Sequence, residues 1–333
     1  MSATPERGPA QRAIGRPAAS ARAFLERWSL LVAFGGAIVF FAIARPDSFL
    51  SLDNARAILD DTSVLAVLAV GVTVVLVIGE FDLSVGFLVG LAAAAGVGAM
   101  AFHGWPVWAA VLVMLGAGAI SGLASGIAVA HVRIPSFVAT LAIGSIAAAV
   151  ELAITKTSIF EGIPAGYVEI ATTRIGTVPL RAIIAVAVVA LFLVILRGTV
   201  FGRHAGSIGD NAAAATLAGV PVANVRLVAF VLAGTTAGLA AVLVTSSAGS
   251  YYPNLGTGLL LPAYAAAFLG LSLGSGLRFN VVGSYIGVLL LGTVTTGLTM
   301  MNQPSWVAAL VQGFVLIAAV GGLAIRKRGA FGR

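Results

Sequence analysis

Ten apolar runs are the feature that most constrains how this chain can fold. A helix needs about 20 apolar residues to cross a bilayer. The runs are Trp28–Ala44, Thr62–Ile78, Leu83–Phe102, Val107–Val132, Phe137–Ile154, Ala182–Leu196, Leu227–Thr245, Leu259–Leu273, Val281–Thr299 and Val307–Ile325. The chain is 59% hydrophobic and 9% charged, against about 45–50% and 25% in soluble domains. We therefore predict an all-α, polytopic membrane protein with about ten transmembrane helices surrounded by lipid.

The chain begins with a polar segment, residues 1–27, which contains five arginines. The first apolar run ends in Ala42-Ile43-Ala44, so a cleaved signal peptide is one interpretation. The polar segment and the run are both long for such a peptide, and we favour an uncleaved first span behind a disordered cytoplasmic tail. The predicted organisation is a basic tail over residues 1–27, a membrane domain over residues 28–325 and a second basic tail over residues 326–333.

The basic residues predict the orientation. With ten spans and a cytoplasmic N-terminus, 14 of the 19 Lys and Arg residues lie on the inside. Basic residues are enriched in cytoplasmic loops of membrane proteins. Both termini and the segment 197–226 are therefore expected in the cytoplasm, and residues 155–181 form the longest outer loop. That loop is either a solvated cap or a docking surface for an external partner.

Several function classes are disfavoured by what the chain lacks. The net charge is +7, but the arginines stand at span ends, so we expect no nucleic-acid partner. There is no cysteine, no H-E-x-x-H motif, and neither Lys156 nor Lys327 follows a glycine as in a phosphate-binding loop. Gly122 to Gly126 is faintly similar to a rhomboid protease motif, but the later spans offer no histidine base. We predict no catalytic residue, metal or cofactor in this chain, so any ATP is hydrolysed by another chain.

Ion coupling is the main alternative among transport mechanisms. Ionisable residues near the bilayer midplane are costly and usually functional. Glu151 lies near the outer end of its run, and Glu80 and Asp82 lie at an inner turn. The absence of a central charge counts against proton coupling but leaves sodium coupling through backbone carbonyls open.

A polar interruption, Gly79-Glu-Phe-Asp-Leu-Ser-Val-Gly86, divides an apolar stretch too long for one span. Gly79 can end one helix, and Asp82 can cap the next by accepting from N–H groups near Ser84 and Val85. The motif is either a structural helix restart or part of a transport pathway or inner gate.

The segment 197–226 is the longest cytoplasmic interruption. Gly202 and Gly209 predict tight turns, and Asn211 predicts the N-cap of a short helix that ends near Ala218, with Gly219 as its stop. The helix surface is small and apolar, which indicates a partner groove. The candidate docking residues are Gly202, Arg203, Gly209, Asn211, Ala214, Ala215, Leu217 and Gly219.

Glycines also recur at helical spacing, as in Gly118, Gly122 and Gly126, and in the pairs Gly86–Gly90, Gly234–Gly238 and Gly283–Gly287. Such faces let helix backbones approach closely. They indicate ordinary bundle packing, or else a dimer face or gate.

The chain resembles the permease subunits of ATP-binding-cassette importers, in the branch for ribose and related monosaccharides. Gly79 to Gly86 is similar to the family's Gly-Gly-x-Asp-Leu-Ser-Val-Gly, and Arg133 to Leu141 to its [KR]-[IV]-Pro-x-Phe-[IV]-x-Thr-Leu. Residues 202–219 resemble the cytoplasmic coupling loop, and residues from Gly283 onward resemble the C-terminal helix pair. We group Pro135 of the second segment with the helix-restart residues Gly79, Asp82, Ser84 and Gly86.

Two departures from the family pattern affect the site. Glu80 stands where the family usually has glycine. Ala213 and Thr216 stand where the coupling helix usually carries glutamate and arginine. The resemblance therefore implies apolar docking of the coupling loop, while its usual charge contacts are missing.

The resemblance implies an importer in the bacterial cytoplasmic membrane. An external binding protein would deliver a ribose-like sugar, and a second permease copy or paralogue would complete the pathway. Two ATPase modules, often fused in one chain, would bind ATP and Mg²⁺ and grip the coupling loops. Related permeases for branched-chain amino acids, nucleosides or autoinducer furanoses, and an ion-coupled secondary transporter, stay open as alternatives.

Sugar sites need aromatic platforms and polar side chains inside a bundle. Residue type alone makes Phe137, Thr140, Tyr264, Asn302 and Trp306 candidates for the substrate pathway. Some of them are equally compatible with a role as interfacial anchors.

Overall fold

The computed structural model describes residues 17–273 and 278–331 and is almost entirely helical. The helices are α1 Pro17–Ala44, α2 Leu52–Asp61, α3 Ser63–Val77, α4 Val85–His103, α5 Val107–Ala130, α6 Ser136–Thr155, α7 Ala165–Thr172, α8 Leu180–Gly198, α9 Val200–Leu217, α10 Val222–Ala248, α11 Leu260–Gly270, α12 Val281–Met300 and α13 Ser305–Phe331. Two 3-10 turns, Thr257–Leu259 and Leu271–Leu273, flank α11. The predicted all-α class is confirmed.

Proline positions many of the helix starts. Proline lacks the N–H group that a helix start leaves unpaired, and its fixed φ suits the first turn. Five helices, α5, α6, α7, α8 and α10, begin directly after a proline. A proline therefore marks the start of each of these five helices in the sequence.

Six helices within the described residues are long and apolar enough to cross a membrane: α4, α5, α6, α8, α10 and α12. The pair α2 and α3, bent by 44° at its junction, passes the same test as a seventh. Three shorter apolar helices, Trp28–Ala44, Thr257–Leu273 and Ser305–Ala318, coincide with the first, eighth and tenth predicted runs. The multi-pass character is confirmed, and the count of ten spans stays a prediction.

Helix α10 lies at the centre of the bundle and packs along α5 and α3. The α5–α10 contact is made by glycine faces, because a Cβ on Gly118 would lie 2.1 Å from the carbonyl oxygen of Gly234. The α11–α12 contact is similar, with Gly283 against the backbone of Gly270. Bundle packing therefore uses the predicted glycine faces and brings backbones into direct contact.

The loop predicted to be the longest outer one, residues 155–181, is folded against the bundle. It forms α7 and a two-stranded antiparallel hairpin, β1 (Arg174–Ile175) with β2 (Val178–Pro179). The buried hydroxyl of Tyr167 in α7 donates to the carbonyl oxygen of Val242 over 3.1 Å. Phe160 forms a β-bridge with Tyr251 in the connection between α10 and α11. These contacts favour the cap interpretation, and docking of a partner on its surface stays a prediction.

The ends of the chain differ from the predicted tails where they are described. Helix α1 begins at Pro17, inside the segment predicted as a tail, and α13 continues to Phe331. Residues 1–16 and 332–333, which belong to the predicted basic tails, lie outside the described residues.

The sixth span is longer than its apolar run. Helix α8 begins at Leu180, so that Arg181 lies in its first turn and is buried. Its Nε donates to Oδ1 of Asp60 over 2.9 Å, and its Nη2 pairs with Oδ2. A carboxylate that accepts two hydrogen bonds satisfies the guanidinium group. Arg181 can therefore be buried in the first turn of α8, although the hydropathy pattern placed it outside the span.

Candidate functional site

Residues 78–84 form a break between α3 and α4, which we call the helix break. Gly79 has φ +79, a left-handed conformation that glycine adopts without strain. Three backbone N–H groups then donate to side-chain hydroxyls from other helices: Phe81 to Ser136 (3.2 Å), Asp82 to Tyr264 (2.8 Å) and Leu83 to Thr140 (3.0 Å). The sequence-predicted restart is therefore present, and hydroxyl groups of α6 and α11 hold it in place.

Asp82 caps the restart from within the break. Its Oδ1 accepts hydrogen bonds from the backbone N–H of Ser84, over 2.9 Å, and from the Ser84 hydroxyl. The side chain is fully buried, and its Oδ2 has no hydrogen-bond partner within the described residues. Burial raises the pKa of the Asp82 carboxyl to about 6, and the hydrogen bonds from Ser84 oppose that shift.

The other two predicted restart residues serve packing and positioning. Gly86 lies against the connection between α10 and α11, and a Cβ there would be 3.0 Å from the carbonyl oxygen of Gly256. Pro135 directly precedes α6 and so places Ser136 at the helix start.

The hydroxyl groups of two candidate pathway residues form hydrogen bonds with the backbone of the helix break. Thr140 and Tyr264 are both buried, and the Tyr264 hydroxyl also donates to the carbonyl oxygen of Asp82 over 3.0 Å. The side chain of Phe137 is 56% exposed on α6. Asn302 and Trp306 lie at the turn between α12 and α13, where both are exposed. The pathway role of these residues stays a prediction.

The segment 197–226 contains the predicted short helix. Within α9 the backbone of Asn211 is non-helical (φ −162°, ψ 101°), and its Oδ1 accepts from the N–H groups of Ala213 and Ala214, both over 3.0 Å. The helix ends at Leu217, and Gly219 adopts φ +80. Asn211 is therefore the N-cap and Gly219 the stop, as the sequence predicts.

The predicted turns at Gly202 and Gly209 are wrong. Both residues lie in a helical portion of α9, residues 200–210, that precedes Asn211. Each glycine instead permits a close approach, because a Cβ would lie 2.0 Å from the carbonyl oxygen of Leu196 or of Val77, respectively. Ala205 and Ile208 bury this portion against α3 in an apolar cluster. Their apolar spacing was the sequence signal for this helix.

The surface of the short helix, residues 212–217, is divided between packing and exposure. Ala215 is buried and anchors the helix to the bundle. Ala214 and Thr216 are exposed, and the side chain of Leu217 is 91% exposed. Arg203, in the portion of α9 that precedes Asn211, is also exposed. An exposed apolar side chain at a fixed helix end is typical of a docking surface.

Two ion pairs connect the segment 197–226 to the rest of the bundle. Nη2 of Arg226, the fifth residue of α10, lies 2.8 Å from Oε1 of Glu80 in the helix break. Nη2 of Arg278 lies 2.6 Å from Oδ2 of Asp210, but both side chains are at least half exposed. Solvent weakens exposed pairs, so the Glu80 contact is the stronger link. The departure at Glu80 therefore gives the helix break an ionic contact to the segment 197–226.

Comparison with known proteins identifies the family of the chain. The family model described as the permease component of a branched-chain amino acid transport system matches residues 54–320. No solved structure matches the chain.

Curated relatives match over most of their length. The ribose import permease protein RbsC of Escherichia coli K12 is 32% identical over 90% of this chain and 94% of its own. RbsC of Bacillus subtilis 168 is 32% identical over 88% and 90%. The autoinducer 2 import system permease protein LsrC of Salmonella choleraesuis SC-B67 is 31% identical over 84% and 80%. The chain therefore belongs to the family of membrane permease components that is named for branched-chain amino acid transport.

Proposed function

We propose that this chain is the membrane-spanning subunit of an ATP-driven importer for a monosaccharide similar to ribose. It performs no covalent chemistry. An ATPase, as separate modules or fused in tandem, supplies ATP hydrolysis with Mg²⁺ from the cytoplasm. An external binding protein delivers the sugar, and a second copy or a paralogue completes the pathway in the lipid bilayer.

The exposed short helix is the observation that carries this proposal. Residues 212–217, which we now call the coupling helix, have fixed ends at Asn211 and Gly219 and leave the side chain of Leu217 exposed. Burying an exposed leucine in a groove contributes about 1.5–3 kcal/mol to binding. Since this chain has no phosphate-binding loop, an ATPase that occupies that surface would supply the energy for transport.

Sugar import follows from the relatives. The permeases that match this chain are named for ribose, xylose and autoinducer 2. Ribose permeases recur from several bacteria at 30–32% identity, which supports ribose or a similar pentose. The LsrC match favours autoinducer 2 as a second candidate substrate. Phe137, Thr140, Tyr264 and Asn302 stay the proposed pathway residues.

The proposed orientation places both termini and the coupling helix in the cytoplasm of a bacterium. Arg203, Arg226 and Arg278 belong to the same end of the bundle as the coupling helix, because they lie in or contact the segment that carries it. Basic residues collect on the cytoplasmic side, which supports this orientation.

Contacts at the helix break transmit movement of the coupling helix to the proposed pathway. Arg226 pairs with Glu80, and Gly209 packs on the carbonyl group of Val77 at the end of α3. Rigid elements that pack this closely shift together rather than deform. ATP-driven closure of the partner would therefore move α9, the helix break and the starts of α4 and α6 as a connected set.

A pull-down tests the proposal. Tagged protein is isolated from its native membrane in mild detergent, and co-purifying chains are identified by mass spectrometry. We expect an ATPase with the wild type, and its loss with Leu217→Asp or with Gly219→Leu, which strains the left-handed stop. Val200→Asp is the matched control, because Val200 is an exposed apolar residue at the other end of α9. Reproducible isolation of the chain alone would favour a secondary transporter.

A further inference from the structure

A cavity of about 600 Å³ opens beside the coupling helix. Its walls come from the helix break, from the turn before α6, and from the connection between α9 and α10. Its polar lining consists of Glu80, Arg133, Ser136, Thr216, Asn224 and Arg226. The cavity thus joins the three segments that the proposed function treats as the cytoplasmic machinery.

The charges that line this cavity are not balanced. Arg226 pairs with Glu80 through Nη2, but its Nε is buried and has no hydrogen-bond partner among the described residues. The side chain of Arg133 forms no ion pair within the part of the chain that the structure describes. A buried N–H group without an acceptor is unfavourable. The cavity therefore has one positive charge in excess and at least one donor without an acceptor.

The backbone fixes where Arg133 stands. The N–H groups of His131 and Val132 both donate to the carbonyl oxygen of Ile127, and that of Ile134 donates to Ala128. Arg133 itself has φ +65. Residues other than glycine are uncommon in this conformation, and such strain persists where the surroundings impose it. The turn thus holds an arginine in a strained position on the cavity wall.

The position of the cavity identifies its occupant. Thr216 belongs both to the cavity wall and to the coupling helix, one residue before the exposed Leu217. A partner that covers Leu217 would therefore lie next to the cavity. The planar guanidinium group binds carboxylates through paired N–H donors. An acidic side chain from that partner would supply the missing acceptor and balance the charge.

We propose that this cavity receives an aspartate or glutamate side chain of the ATPase that binds the coupling helix. The inference rests on the proposed function, because it requires that ATPase. It adds a charged contact, centred on Arg133 and Arg226, to the apolar contact at Leu217.

Carbodiimide cross-linking of an Arg133→Lys variant tests the contact directly. The reagent joins a lysine amine to a nearby carboxylate as an amide, with no spacer. Lys156 and Lys327 are the only natural lysines, so the cross-link from position 133 is distinct in mass spectrometry. We expect it to end on an acidic residue of the co-purified ATPase, at a yield about tenfold above that of Arg197→Lys. Arg197 is an exposed cytoplasmic control outside the cavity.

Charge reversal gives a second measurement. We expect Arg133→Glu to lower the amount of co-purified ATPase at least about fivefold, while Arg197→Glu leaves it unchanged. If the ATPase co-purifies equally with Arg133→Glu and position 133 gives no cross-link to it, the cavity proposal is wrong and the proposed function stands. If no ATPase co-purifies with the wild type, both are wrong.

Discussion

The substitution Thr140→Val removes the hydroxyl group of Thr140 and keeps the shape of the side chain. The N–H of Leu83 then loses its acceptor inside the bundle, and an unsatisfied buried donor costs about 1–3 kcal/mol. We expect a lower unfolding temperature in detergent. Ser145→Ala is the control on the same helix, because its exposed hydroxyl only donates to Leu141 of that helix. Equal unfolding temperatures for the two variants would contradict the account of the helix break.

The local chemistry of the break is readable from sequence, and its partners are not. Gly79 and Asp82 are short-range signals for a helix stop and a cap, and both act as predicted. The acceptors Ser136 and Tyr264 are 55 and 182 residues away from the N–H groups they satisfy. From residue type alone, Tyr264 was a candidate for the substrate pathway. No local pattern shows that its hydroxyl group bonds to the backbone of Asp82.

Helix α9 offers a test at the scale of elements. In Gly209→Ala the new Cβ would lie 2.0 Å from the carbonyl oxygen of Val77. Overpacking of this kind typically costs about 1–3 kcal/mol, and we expect α9 to separate from α3. Gly206→Ala is the matched control, since no heavy atom lies within 4 Å of that Cβ. Hydrogen exchange of the α9 amides should rise only in the first variant, and unchanged exchange in both would refute the packing.

The glycine contact between α5 and α10 gives a second test of packing. A Cβ on Gly118 would meet the backbone of Gly234 and Gly238, whereas one on Gly116 of the same helix meets nothing within 4 Å. We therefore expect Gly118→Ala to lower the thermal stability of the solubilised protein and Gly116→Ala to leave it unchanged or raise it slightly, since alanine favours helix. Comparable melting of both variants would show that the two backbones are not in contact.

Helix ends were predicted correctly where local capping residues set them. The prediction was wrong where packing against a neighbouring segment determines whether the helix continues. Asn211 and Gly219 bound the coupling helix as predicted, because side-chain and backbone preferences act within one turn. Gly202 and Gly209 suggested turns, yet the helix continues through both because each glycine lets it approach a neighbouring carbonyl group. A single sequence cannot distinguish a glycine that bends the chain from one that admits a neighbour.

The whole molecule has a predicted orientation that labelling can measure. The chain contains no cysteine, so single cysteines report one position each. Arg197→Cys and Thr177→Cys place thiols on exposed sites at the end of α8 and in the hairpin that precedes α8. We expect an impermeant maleimide added to intact cells to label position 177 and not 197, and inside-out vesicles to show the reverse. Labelling of both from the same side would exclude the ten-span topology.

Energy coupling is the central claim, and uptake by intact cells tests it most directly. Cells that depend on this chain receive labelled ribose, either after ATP depletion with the ion gradients kept, or after collapse of the proton and sodium gradients with ATP kept. We predict that uptake stops in the first condition and continues in the second, with Leu217→Asp inactive in both. Uptake that follows an ion gradient and persists without ATP would contradict the account.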